Sequence, residues 1–108
     1  MVYLMTTTTY PLSEADEVGK KWLEVSKKFP PDRSIAKTVV QAAVKATTEG
    51  ITVIAISEVK PGKVAEALDL AGKLAVEFGS IKGLNIAIEI LSTAVEAMGI
   101  LGLKPPPA

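Results

Sequence analysis

Histidine and cysteine are both absent from this 108-residue chain. Without imidazole there is no histidine base and no axial histidine for haem. Without a thiol there is neither a disulfide framework nor a cysteine nucleophile. The commonest routes to metal binding and nucleophilic catalysis are therefore closed, and neither a metal nor a cofactor is expected. An excess of one charge is missing too. Lys and Arg total 12 and so do Asp and Glu, so no net field draws the chain to nucleic acid or to an anionic membrane. No apolar run approaches the roughly 20 residues that span a bilayer. Met1 to Tyr10 also lacks the basic start and apolar core of a signal peptide. The expected compartment is the cytoplasm, where a chain without cysteine is at home.

What the chain does contain is enough apolar material for one folded domain over residues 1–108: hydrophobic residues make up 48% and charged residues 22%. The hydrophobic period changes along it in the order two, 3.6, two, two, 3.6, two. Val2 to Tyr10 is β-branched and aromatic and stops at Pro11, which reads as a first strand. Ser13, three residues before Asp16, is placed to cap a helix running to about Lys28, with Ala15, Val18, Trp22, Val25 and Phe29 on its apolar stripe. Pro30 and Pro31 end that helix. Residues 35–47 and 51–59 then read as a hairpin turning at Glu49-Gly50.

Lys60-Pro61-Gly62 breaks the third strand and opens a second helix over 63–78. Its core stripe is Val64, Ala67, Leu68, Ala71, Leu74, Ala75 and Phe78. Residues 84–91 alternate as a fourth strand, and Thr93 with Glu96 forms a capping box for a last short helix. The tail, Lys104 to Ala108, is too rich in proline to continue it and is expected to fray. The predicted fold is α+β: β-α-β-β-α-β with a four-stranded antiparallel sheet, two helices on one face and a C-terminal helix.

Strand residues alternate between faces. Val2, Leu4, Val40, Ala42, Val44, Ile51, Val53, Ala55, Leu84, Ile86, Ile88 and Ile90 form a nearly pure apolar set, the expected helix-covered core. The other set holds Tyr3, Met5, Thr7 and Thr9, then Val39, Gln41, Ala43 and Lys45. It continues with Ile54, Ile56 and Glu58, and ends with Asn85, Ala87, Glu89 and Leu91. This face is too apolar for water and too polar for a dry core. A patch of this kind marks an interaction surface, and a second copy of the same sheet can cover it.

The element order and the half-polar second face resemble the dimeric α/β-barrel group of ferredoxin-like proteins, in which two four-stranded sheets pack face to face. The resemblance spans residues 2–91 as a pattern of elements. It implies a homodimer or higher homo-oligomer with paired sheets. Members of the group range from cofactor-free monooxygenases, small isomerases and haem enzymes to stress-response and ligand-sensing modules, so fold does not select a function. The missing histidine weighs against the haem and histidine-base members.

Three kinds of function remain. The first is a non-catalytic, self-associating domain, which Ala-rich helix faces and the lack of histidine would also suit as an engineered assembly subunit. Its interface would use Met5, Val39, Ile54 and Ile56, with Met98, Ile100, Leu101 and Leu103 from a C-terminal helix that has no polar side. Ala65, Gly72 and Val76 on the second helix offer another close-approach stripe. The second is a small apolar-ligand module, with Tyr3, Thr7, Gln41, Lys45 and Asn85 supplying polar contacts between paired sheets. The third is a cofactor-free monooxygenase or isomerase, with Glu58 or Glu89 as acid or base beside Tyr3. The plainer reading of these charges is a solvated rim, and of the threonines simple strand preference. Pro61-Gly62-Lys63 lacks P-loop spacing and reads as a turn, and Trp22 reads as a core anchor.

Overall fold

Proline and glycine punctuation divides the chain where the hydrophobic period changes, and a computed structural model describing residues 1–107 shows the result. Strand β1 is Val2–Tyr10, helix α1 Ala15–Lys28, β2 Ala36–Thr47 and β3 Gly50–Val59. Helix α2 is Val64–Glu77, β4 Asn85–Ser92 and α3 Ala94–Ile100. The described residues are α+β, with one four-stranded antiparallel sheet and three α-helices. Strand order is β2-β3-β1-β4. Each helical crossover thus joins two strands that run the same way and leaves a third between them: β3 between β1 and β2, and β1 between β3 and β4. Among the described residues, no helix is long and apolar enough to cross a membrane.

One local expectation shifts and another holds. Ser13 does not cap α1. The Glu14 N–H donates to the Pro11 carbonyl at 2.9 Å, so Leu12–Glu14 forms a 3-10 turn that absorbs Ser13 before the α-helix begins. The capping box of α3 does form: the Glu96 N–H donates to Thr93 Oγ1 at 3.2 Å, and the Thr93 N–H to Glu96 Oε1 at 3.3 Å. Residues 104–107 carry no regular structure, and Ala108, the last residue of the expected frayed tail, lies outside the described residues.

The Thr93 backbone N–H, together with its hydroxyl and the chain's terminal ammonium, holds the Glu96 carboxyl below the usual glutamate value of 4.5. A depressed carboxylate stabilises the folded state above its unfolded pKa and loses that effect as pH falls through the folded value. The α3 amides are therefore expected to exchange faster in acid. Thr93→Ala, which removes the cap, should do the same at neutral pH by about 1 kcal/mol, or roughly fivefold. Unchanged α3 exchange in that variant would show that the cap does not hold the helix.

Paired positions place Val2, Leu4, Thr6, Thr8 and Tyr10 on the helix side of β1, level with Val59, Ser57, Ala55, Val53 and Ile51 of β3. The core there is two clusters rather than one. Leu4, Val59, Ala67 and Ala71 fill one end of the strands. Tyr10, Val18 and Ile51 fill the other. Between them the sheet presents Thr6 and Thr8, and Ser57 stands level with Leu4, so the expected all-apolar helix-covered face is corrected: hydroxyls are set into it.

Strand β2 supplies the second correction. Its pairing with β3 slips between Thr38 and Val40 and again between Val40 and Ala43, each time by one extra residue. Thr38 is level with Ser57, but Val40 is level with Ile56 on the opposite side of the sheet. Val40 therefore leaves the expected core set for the open face. Gln41, expected on the open face, lines the space beneath the helices with Ala42. Strand β2 also extends past its helical cover, leaving Val44 64% exposed.

Candidate functional site

Register sorts the open face into four levels running across the sheet from β2 to β4. Lys45, Thr52, Thr9 and Asn85 form a polar level at one end. Ala43, Ile54, Thr7 and Ala87 form the next, followed by Val40, Ile56, Met5 and Glu89. Lys37, Glu58, Tyr3 and Leu91 complete the other end. Two largely apolar middle levels thus lie between two polar ones. The centre of the sheet carries Ile54, Ile56 and Met5, and charge sits at its margins. Val39, the extra residue of the first bulge, is exposed beside this band.

The residues considered for catalysis fall on two neighbouring levels of this face, with Tyr3 paired directly to Glu58. Glu58 lies at a strand end between Lys37 and Tyr3. Glu89 is one level away, on the edge strand opposite Met5, and is exposed. Of the residues considered for ligand binding, Asn85 and Lys45 share the first level from opposite edges, Thr7 sits one level in, and Tyr3 is at the far end. Gln41 is behind the sheet.

The C-terminal segment adds apolar surface. Ile100 is 85% exposed and Leu101 70%, and Val95 and Leu103 are also exposed, whereas Met98 is partly buried. The Met1 ammonium lies 3.8 Å from Glu96, tying the start of β1 to α3.

Behind the sheet, the gap between the two apolar clusters is a cavity of about 400 Å³. Its floor is the hydroxyl-bearing stretch of β1, β2 and β3, and its roof is α1 and α2. The roof combines Ala71 and Ala75 with Leu70 and Leu74 of α2, and the floor carries Thr6, Thr8 and Ser57. Trp22 belongs to this wall and is 43% exposed, which corrects its expected place as a core anchor. Pro30, Pro31 and Asp32 form the rim beside β2. Asp32 accepts the Ser34 N–H at 2.9 Å and the Ser34 hydroxyl at 2.5 Å, which holds its carboxyl below the usual aspartate value. Lys28 of α1 and Glu77 of α2 form an exposed ion pair between the two roof helices.

This signal was present in the sequence as Thr6, Thr8 and Ser57, which share the parity of Leu4 and Val59. Threonine's strand preference accounts for these residues without assigning them a role, which masks the signal. In comparisons with known proteins, no family model, curated protein or solved structure matches the chain.

Proposed function

We propose that the protein is a self-associating domain that works as a homodimer, with the open faces of two sheets packed together as in the dimeric α/β-barrel group of ferredoxin-like proteins. The observation that carries this reading is the pair of apolar middle levels on the open face, centred on Ile54, Ile56 and Met5. A contiguous apolar band rimmed by polar residues is the usual anatomy of an interface. The split β-α-β connections support the ferredoxin-like assignment. The absence of cysteine supports a cytoplasmic site of action.

Charge favours one way of pairing the sheets. On the open face, β2 carries Lys37 and Lys45 while β4 carries Glu89. A two-fold axis between the sheets and along the strands sets β2 of one copy over β4 of the other. The lysine-bearing edge then meets the glutamate-bearing edge, Ile54 lies over Thr7, and Ile56 lies over Met5. An axis across the strands would instead lay β2 on β2 and bring lysines together. The exposed Ile100, Leu101 and Leu103 extend the apolar surface available to a second copy.

Sedimentation of the purified chain over a micromolar concentration range tests the proposal. The expected mass is twice 11.3 kDa. A single species of 11.3 kDa throughout would overturn it.

A further inference from the structure

Between the helices and the sheet lies a cavity whose lining is largely apolar but carries several polar side chains. Its volume, about 400 Å³, lies within the range of small-molecule sites, roughly 300–1,000 Å³, and it opens to solvent beside the exposed Trp22, Gln41 and Ala42. Most of the wall is hydrocarbon, including Trp22 and Leu74. Set into it are the hydroxyls of Thr6, Thr8 and Ser57 and the amide of Gln41. Among the described residues none of these four side chains hydrogen-bonds another protein group. Each can both donate and accept.

We propose that this cavity is a binding site for a neutral, mostly hydrocarbon molecule bearing a hydroxyl or carbonyl group. The hydrocarbon wall supplies affinity through burial of apolar surface. The hydroxyls and the amide supply orientation. Charge decides against ionised ligands. No cationic side chain lines the cavity to receive an anion, and its one carboxylate, Asp32, stands at the rim and is already hydrogen-bonded by Ser34. The site lies on the opposite side of the sheet from the proposed dimer interface and does not depend on it.

Trp22 is the chain's only tryptophan, so its emission reports on the cavity directly. Titration with octan-1-ol should give a saturable change in that emission, while octanoate and octylammonium should bind at least roughly tenfold more weakly. Thr6→Val, which removes a hydroxyl at nearly constant shape, should weaken octan-1-ol binding by roughly tenfold without lowering the melting temperature. Ser57→Ala, on the neighbouring strand, should act in the same direction and stands in if Thr6→Val does not fold. Ile56→Lys, on the far side of the sheet, should leave octan-1-ol binding unchanged. A response that does not saturate, equal affinity for the two ions, or undiminished binding in both hydroxyl variants would overturn the proposal.

Discussion

Replacing Ile56 with lysine is expected to turn the dimer into a folded monomer, weakening association by more than about 100-fold. Ile56 sits in the central apolar band of the open face, level with Val40 and Met5 and away from the helix-side core. In a two-fold interface the substitution acts twice, placing two ammonium groups in a desolvated centre with no carboxylate at their own level nearer than Glu89 on the sheet edge. A monomer keeps the same lysine in water, so its fold should survive. Sedimentation reads the mass, and far-ultraviolet circular dichroism reads the fold. An Ile56→Lys chain that remained a dimer would contradict the assigned interface.

Gly50→Ala is expected to produce the largest loss of stability of any single methyl addition. The hairpin between β2 and β3 turns through Thr48 and Glu49, and among the described residues none other than glycine has a positive φ, so the reversal into β3 falls to Gly50. Its φ is 131°, a conformation that residues with a Cβ rarely adopt. A Cβ there would also stand 2.6 Å from the carbonyl oxygen of Tyr10. That oxygen belongs to the central strand, and Tyr10 packs with Val18 and Ile51, so the backbone cannot easily yield. The cost should be on the order of 3 kcal/mol, or a fall in melting temperature of more than ~10 °C. A fall of only ~2 °C would mean that the hairpin can be rebuilt without this geometry.

How far the sequence can be read depends on which residues report locally. Pro11, Pro30-Pro31 and Pro61-Gly62 interrupt backbone hydrogen bonding wherever they stand, so the order of strands and helices follows from position alone. Thr93 and Glu96 likewise satisfy each other within four residues. The faces of β2 are different. Alternation assigns sides only while each residue meets one partner, and two bulges near Val40 each add an unmatched residue. Thr38, Val39, Val40, Gln41, Ala42 and Ala43 contain no glycine or proline to mark the slips, so Gln41 and Val40 change places without a local signal. The cavity was hidden for another reason. Thr6, Thr8 and Ser57 are ordinary strand residues, and only their position beneath α1 and α2 turns three hydroxyls into the lining of a cavity.

The proposed dimer requires a second copy of the chain over the open face, and an isotope-filtered NOE experiment on dimer mixed from labelled and unlabelled chains tests that contact directly. Cross-peaks between copies at the methyl groups of Ile54, Ile56 and Met5 are the predicted result. A dimer whose only intermolecular cross-peaks came from the helix surfaces, with Ile54, Ile56 and Met5 silent, would contradict it.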